Sequence, residues 1–300
     1  PSYEGFFYSK MRRNIYTENM FLSVIPLKHS LSIKPFIYSV SDIWKDHIQI
    51  GSLVEIPIGK YIDLWIISEI LQESQDEENG DFEIKPIIAL ISETPLITKE
   101  MIAMIFQISQ KYFIPLHKII SLFLPTPLLS RLDKKNYLLN NTDCFQEKKE
   151  PIREIHHFTN RVFSPKDMEI YATNGSIFCF PDDLFALSFS WNGRENTDIL
   201  LNESTPTKKS QMWIDIYEWK RDIIIWTRRI LYYNLKVYSR IIYIEDSFGN
   251  EQFQYPTRLQ TLDILRALAD NTQKDIIIIT STPSLSLFAD FRDFHIQNQK

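Results

Sequence analysis

Glycine is scarce in this chain of 300 residues, which has seven of them, at positions 5, 51, 59, 80, 175, 193 and 249. No two of these glycines lie within seven residues of each other. A phosphate-binding loop needs glycines five residues apart, followed by Lys and Ser or Thr, because glycine lets successive backbone N–H groups wrap around an anion. The sequence therefore contains neither an intact phosphate loop nor the glycine fingerprint of a dinucleotide-binding fold.

Cysteine, long apolar runs and positive net charge are also lacking. The two cysteines, Cys144 and Cys179, cannot form a disulfide framework or a cysteine zinc site, so we expect a reducing, cytoplasmic location and no zinc. The longest apolar runs, 119–124 and 276–279, are far shorter than the roughly 20 residues that cross a bilayer, so no membrane partner is expected. A net charge of −5 gives no overall attraction for nucleic acid.

One segment is nevertheless basic. Residues 208–240, called here the basic band, carry eight Lys and Arg against three Asp and Glu. Seven aromatic residues lie among these charges: Trp213, Tyr217, Trp219, Trp226, Tyr232, Tyr233 and Tyr238. Such a mixture suits the phosphates and unstacked bases of nucleic acid. It is equally typical of aromatics packed in a core beneath a solvated basic face, and the sequence leaves both interpretations open.

The hydrophobic pattern changes along the chain. Short alternating or apolar runs predict strands at 21–27, 36–40, 52–58, 64–71 and 84–91. Apolar residues at helical spacing predict a helix that begins at Thr98 and ends before Pro115. From about residue 170, strands at 176–180, 198–201, 223–226, 241–244 and 276–280 alternate with helical stretches at 207–219 and 258–270, which is typical of a parallel sheet with crossover helices.

The order of these pieces resembles the N-terminal half of the PriA family of replication-restart helicases (primosomal protein N′). Residues 24–125, from "VIPL" through "IGSLVEIPIGK" to "ISLFLP", are similar to that family's 3′ DNA-binding domain. Four later fragments are similar to worn motifs of its first helicase lobe, in the correct order: "GSIFCFPDD" (175–183), "NESTPTKKSQMWIDIYEWKRDIIIWTRR" (202–229), "IIYIEDSFGNEQFQYPTR" (241–258) and "ITSTPSLS" (279–286).

The resemblance implies an α/β protein with a small, barrel-like β domain followed by an eroded RecA-like parallel lobe. The expected divisions are an N-terminal extension at 1–20, a PriA-like 3′ DNA-binding domain at 21–128, a linker or reduced winged-helix region at 129–169, and a degenerate helicase lobe at 170–300.

The resemblance also implies a pocket for a DNA end, formed in the family by an aromatic residue, an acid, a turn glycine and a lysine. The matching positions here are Phe36, Ile37, Gly59 and Lys85, so the acid is replaced by an alkyl side chain. We expect weak DNA binding with a reduced preference for a free 3′-hydroxyl. The full set of DNA-binding candidates is Phe36, Tyr38, Gly59, Lys60, Lys85, Arg228 and Arg229.

Simpler roles stay open for several of these residues. Phe36 and Tyr38 are expected to divide between core and surface, and Gly59 and Lys85 are also compatible with an ordinary turn glycine and a surface lysine. Arg228 and Arg229 are expected at the surface, where they would contact phosphate or cap a helix.

The motifs that hold ATP and magnesium in the family are altered. Ile244 replaces the metal-binding Asp, while Glu245, Asp246 and Lys166 stand at relic positions. Residues 156–167 contain no glycine, and the family's zinc insertion and second lobe are not found before Lys300. Phosphoryl transfer depends on positioned charge, so we expect neither ATP nor magnesium as a cofactor and no helicase activity.

The leading hypothesis is a helicase-dead, PriA-like protein that binds DNA ends, forks or single strands, and primosome or replisome proteins. One alternative is an ATP-dependent 3′–5′ DNA helicase, of which this chain is a fragment or whose site a partner completes. Another is an adaptor that binds protein only.

Overall fold

A computed structural model describes residues 20–28, 34–72, 84–133, 150–159, 163–188, 197–199, 205–245 and 259–299. The predicted extension at 1–20, apart from its last residue, and the relic position Asp246 lie outside these residues.

The N-terminal part is a small antiparallel barrel. Its strands are β1 (Phe21–Pro26), β2 (Phe36–Ser39), β3 (Leu53–Ile58), β4 (Tyr61–Leu71) and β5 (Ala89–Ser92), paired in the order β2-β1-β4-β3-β5. The segment before β5 closes the sheet, because Ser39 N–H donates to Lys85 O (3.0 Å) and Ile88 N–H to Glu55 O (2.8 Å). The buried interior includes Val24, Val54, Trp65 and Ile67. The predicted β-rich, barrel-like character of this part is confirmed, and the structure adds that its named strands pair antiparallel.

Three helices follow the barrel: α1 (Lys99–Tyr112), α2 (Leu116–Phe123) and α3 (Thr126–Asp133). The Thr98 side chain accepts a hydrogen bond from Met101 N–H at 3.3 Å, which caps the start of α1. The helix ends at Phe113, whose φ of 52° is left-handed, two residues before Pro115. The predicted limits of this helix are therefore confirmed.

The rest of the chain is a seven-stranded parallel sheet, called here the lobe. Its strands are β6 (Arg153–Phe158), β7 (Ser176–Phe180), β8 (Thr197–Ile199), β9 (Ile223–Thr227), β10 (Arg240–Ile244), β11 (Asp275–Thr280) and β12 (His295–Gln299), in the order β12-β6-β11-β10-β7-β9-β8. The connecting helices are α4 (Pro165–Tyr171), α5 (Asp183–Ser188), α6 (Pro206–Tyr217), α7 (Thr261–Asn271) and α8 (Leu285–Asp290), with a 3-10 helix at Arg228–Tyr232. The predicted α/β fold class is confirmed.

The start of the lobe differs from the sequence prediction. Residues 129–169 are expected to be a linker or a reduced winged-helix region, yet β6 lies inside the sheet and pairs with both β11 and β12. Its sequence, "REIHHF", is mostly polar. In the structure, however, Glu154 and His156 contact each other, and His156 is buried against Tyr171. Polar side chains that hydrogen-bond to each other can be buried in a strand, and the hydrophobic pattern of the sequence does not predict such a strand.

The barrel and the lobe share one hydrophobic core, with α1, α2 and α3 between them. Three hydrogen bonds cross this junction: Trp213 Nε1 to Phe123 O (2.9 Å), Tyr217 Oη to Pro95 O (2.9 Å) and Asn234 Nδ2 to Leu96 O (2.8 Å). Pro95 O and Leu96 O belong to the segment that leaves the barrel, and Phe123 O belongs to the last residue of α2, so the lobe holds both this segment and the helical layer. No helix among the described ranges is long and apolar enough to cross a membrane.

The burial of the aromatic residues in the basic band decides between core packing and base stacking, the two interpretations of that segment. Six of the seven are buried: Trp213, Tyr217, Trp226, Tyr232, Tyr233 and Tyr238. Trp213 stacks on Tyr217 with ring centroids 5.1 Å apart, and only Trp219 is exposed. The core interpretation is therefore correct for these rings, and they offer no platform for bases.

Candidate nucleic-acid interface

Strand β2 places two aromatic candidates against one buried tryptophan. The ring of Phe36 lies 5.0 Å from that of Trp65, and the ring of Tyr38 lies 6.2 Å from it. The expected division into one core and one surface residue is wrong, because side chains two positions apart on a strand point to the same face. Phe36 is 41% exposed, since it lies at the end of the strand, and Tyr38 is half-buried.

Lys85 lies beside this pair. Its carbonyl accepts the hydrogen bond from Ser39 N–H, and the parallel bridge between Ser39 and Pro86 aligns Lys85 with Tyr38. The side chain of Lys85 is exposed. Three of the sequence candidates therefore lie together at one edge of the barrel.

The turn candidates Gly59 and Lys60 form the tip of the β3–β4 hairpin, between the paired residues Ile58 and Tyr61. The Tyr38 hydroxyl donates to Pro57 O at 3.2 Å, which ties β2 to the base of this tip. Gly59 has a φ of 58°, and a Cβ there would have no heavy atom within 4 Å, so the backbone conformation rather than lack of space favours glycine.

The end of the barrel where β1 ends, β2 begins and this hairpin turns is called here the hairpin end. It carries Lys28, Lys34 and Lys60, with Lys85 alongside and Asp63 as an acidic neighbour. The opposite end carries Asp42, Asp46, Glu69 and Glu93 and one lysine, Lys45, which pairs with Asp42. The barrel is thus electrostatically polarised, with its positive end around Phe36 and the hairpin tip.

Sequence reasoning missed the apolar residues of the hairpin end. Tyr61 is 80% exposed and Ile62 is 61% exposed, next to the lysine at the tip. The available signal was an aromatic residue directly after a turn glycine and a lysine, which places a flat ring at the most exposed point of a hairpin. Exposed rings beside lysines can stack on bases while the lysines contact phosphate.

The arginine candidates in the lobe have different environments. Arg228 is buried, and its Nε donates to Pro181 O at 3.2 Å, so the surface position expected for it is wrong. Arg229 is exposed at the start of the 3-10 helix. Burial and bonding to the backbone make Arg228 a structural residue, whereas the Arg229 guanidinium is accessible.

The segment that stands at the family's phosphate loop has an acidic start to its helix. At the N-terminus of α4, the Asp167 carboxylate accepts hydrogen bonds from Ser164 N–H (2.8 Å) and Ser164 Oγ (2.6 Å). Asp167 is buried, and Pro165 at the first turn has no N–H to donate. A negative charge therefore already lies where a helix N-terminus would receive phosphate, and Lys166 is exposed beside it.

The first residue at the family's metal motif is buried in hydrocarbon. The side chain of Ile244 packs in an apolar cluster with Phe163 and Met168. Glu245 is held through its backbone N–H to Ile279 O (2.8 Å), and its Oε1 accepts from Ser284 Oγ at 2.7 Å. Ser284 also caps α8 through Leu287 N–H. Hydrocarbon thus fills the first ligand position of the motif, where magnesium would need an oxygen ligand.

Comparison with known proteins supports the sequence resemblance. Residues 24–125 match the family model of the PriA 3′DNA-binding domain (3′BD), which covers about a third of the chain. The chain is also 29% identical over 145 residues to the Replication restart protein PriA of Chlamydia muridarum (strain MoPn / Nigg). That alignment covers 44% of this chain and 19% of the relative. The predicted resemblance to the N-terminal region of PriA is thereby confirmed.

Proposed function

We propose that this protein binds DNA ends or branched DNA through the hairpin end of its barrel and does so without hydrolysing a nucleotide. The observation that carries the proposal is the meeting of Phe36, Tyr38, Lys85 and the Gly59–Lys60 turn at the positive end of a barrel. That barrel is the segment that matches a 3′DNA-binding domain.

The chemistry of the hairpin end suits the last nucleotides of a strand. A base that stacks on Phe36 or Tyr61 would gain about 1–3 kcal/mol. The lysines would contact the backbone and make the affinity depend on salt. Ile37, which stands at the family's acidic position, offers no acceptor for a sugar hydroxyl, so the end would be held by stacking and charge more than by its 3′ group.

The proposal predicts similar affinities for DNA with 3′-hydroxyl and 3′-phosphate ends. The loss of one hydrogen bond removes about 0.5–1.5 kcal/mol, so the preference for the hydroxyl should stay below about tenfold. Fluorescence anisotropy with the full chain and labelled forks measures both affinities. A large preference for the hydroxyl would show that the pocket for the end lies elsewhere.

Lysine variants test whether the hairpin end is the binding surface. Lys85→Ala should weaken binding to DNA with a 3′-hydroxyl and to DNA with a 3′-phosphate, because it removes a cation beside Tyr38. Lys45→Ala is the matched control, since Lys45 pairs with Asp42 at the opposite end of the barrel at 2.7 Å. If both variants lost the same DNA affinity, the effect would be one of overall charge, and the hairpin end would not be the binding surface.

The absence of ATP turnover is the second part of the proposal. It is supported by the Asp167 carboxylate at the start of α4 and by Ile244 in the apolar cluster. We expect no release of phosphate from ATP above background in the presence of forked DNA. Turnover that Glu245→Gln abolishes would overturn this part of the proposal and favour the helicase alternative. A protein of this kind would act by occupying branched DNA or by bringing a replisome protein to it.

A further inference from the structure

The β3–β4 hairpin extends further than the sheet around it. β1 pairs with β4 only as far as Trp65, and β5 pairs with β3 only as far as Glu55. Beyond these points, residues 56–58 and 61–63 pair only with each other among the described residues. At about 3.3 Å per residue, they form a two-stranded arm about 10 Å long, called here the hairpin arm.

The two faces of the hairpin arm are both apolar. Directly paired residues of antiparallel strands point to the same face, and consecutive residues point to opposite faces. The pair Ile58–Tyr61 therefore lies on one face and the pair Pro57–Ile62 on the other. Tyr61 is 80% exposed, Ile62 61% and Ile58 39%. Packing against the described residues thus leaves an apolar side chain open to solvent on each face.

The base of the hairpin arm is held from several sides. Ile56 is buried in the interior of the barrel. The Tyr38 hydroxyl donates to Pro57 O at 3.2 Å, and Lys28 Nζ lies 3.9 Å from Asp63 Oδ1. An arm that is already fixed at its base loses little conformational freedom when it enters a ligand.

The charges around the hairpin arm favour nucleic acid as that ligand. Lys60 is exposed at the tip, Lys28 is 55% exposed at the base, and Lys85 is exposed on the neighbouring segment. Asp63, the only acid in residues 56–63, already pairs with Lys28. Lysines contact the phosphate backbone, whereas exposed rings suit the flat faces of unpaired bases. The arm combines both kinds of group.

We propose that the hairpin arm is a wedge that opens the base pair at a DNA junction. Tyr61 stacks on the base released from one strand, Ile62 covers the base of the other strand, and the lysines hold the phosphates. This inference rests on the proposed DNA binding of the barrel and adds an activity to it.

Opening one base pair in this way requires no nucleotide. The stacking that a base loses in the duplex is similar in size to the stacking that it gains on an aromatic side chain, so the exchange is near balance. Residues 56–63 contain a single ring, that of Tyr61, so opening should stop after about one base pair.

Forked DNA that carries 2-aminopurine in the base pair at the junction tests the wedge, because the fluorescence of this base rises when it unstacks. Saturating full chain, without nucleotide, should increase the fluorescence about twofold or more. The same label in the middle of the duplex should not respond. A junction label that stays dark on a fully bound fork would overturn the wedge.

The variant Tyr61→Thr/Ile62→Thr removes the apolar surface from both faces and keeps residues that suit a strand. At saturation, it should leave the junction fluorescence at the level of the free fork. It should still bind single-stranded DNA through Phe36 and Lys85, which shows that the variant is folded. Ile43→Thr is the matched control, because Ile43 is 71% exposed beside Asp42 at the opposite end of the barrel, and it should give the full increase.

An equal increase in the double variant would also overturn the wedge and would leave the apolar tip as a surface for a protein partner. The same DNA separates this inference from the proposed function. If forks bind and Lys85→Ala weakens the binding while the junction base stays stacked, the barrel binds DNA and only the wedge is wrong. If neither forks nor single strands bind, the proposed function is wrong and the wedge is wrong with it.

Discussion

At the residue scale, two glycines have left-handed backbones for the same conformational reason but in different surroundings. Gly59 has a φ of 58° in open space at the hairpin tip. Gly51 has a φ of 89°, and a Cβ there would lie 1.8 Å from Ile97 O. At position 59 only the backbone conformation favours glycine. At position 51 both the backbone conformation and the lack of space for a side chain favour it.

Alanine at these two positions should therefore cost different amounts of stability. Gly59→Ala should lower the free energy of unfolding by about 1–2 kcal/mol, the cost of a left-handed alanine. Gly51→Ala should cost about 1–3 kcal/mol more, because the methyl group displaces the Ile97 carbonyl. Urea denaturation measures both. Equal losses would mean that the approach of Ile97 to Gly51 is not a packing constraint.

Single residues were also where sequence reasoning had least to work with. The position of Phe36 and Tyr38 on one strand face follows from the two-residue period, but their exposure depends on how far each lies from the end of the barrel. The burial of Arg228 depends on Pro181, which lies 47 positions away in the chain. No local pattern contains that contact.

At the scale of elements, α1 is joined to α7 by a polar contact at the junction. The Asp263 carboxylate, at the start of α7, accepts from Lys111 Nζ at 2.6 Å and from the Tyr112 hydroxyl. The hydroxyl oxygen of Tyr112 in turn accepts from Gln260 N–H at 3.1 Å. Burial, and then the bond to Asp263, raise the pKa of Tyr112 to about 12.

This contact should weaken at alkaline pH. A tyrosine whose pKa rises on folding contributes stability below pH 10, its unfolded value, and loses it as the pH increases towards 12. Tyr112→Phe should therefore lower the free energy of unfolding at pH 8 by about 1 kcal/mol, and the difference from the natural chain should shrink at pH 11. Tyr61→Phe, at an 80% exposed ring, is the control and should have no effect. A difference that stays constant from pH 8 to pH 11 would contradict the assignment.

The elements themselves were mostly predictable. The strands at 176–180, 223–227 and 240–244 contain apolar runs, because they are largely buried on both faces, and the helix from Lys99 shows its period clearly. Strand β6 was missed since its buried polar groups pair with each other. The sequence did not predict which strands are neighbours in the sheet. That order depends on contacts between distant segments, which only the structure shows.

At the scale of the whole molecule, the shared core implies that barrel and lobe unfold together. Cys179 provides a probe, because it is fully buried in β7 and burial raises the pKa of its thiol. In a Cys144→Ser background, its reaction with a thiol reagent should require unfolding of the lobe.

A mutation in the barrel should therefore accelerate labelling in the lobe. Ile66→Ala removes a fully buried side chain of β4 that belongs to the shared core and should cost about 2–5 kcal/mol. The labelling rate of Cys179 should then increase by about 30-fold or more. Ile62→Ala, at an exposed position of the same strand, is the control. An unchanged rate in Ile66→Ala would show that the two parts unfold independently.

The tight approach at Gly51 has a mechanical consequence. The backbone N–H of Leu96 donates to Gly51 O at 2.9 Å, while the Gly51 Cα leaves room only for hydrogen against Ile97 O. The strand connection and the start of the helical layer thus meet without slack. A displacement of this part of the barrel would therefore have to move the start of the helical layer, which shares its hydrophobic core with the lobe.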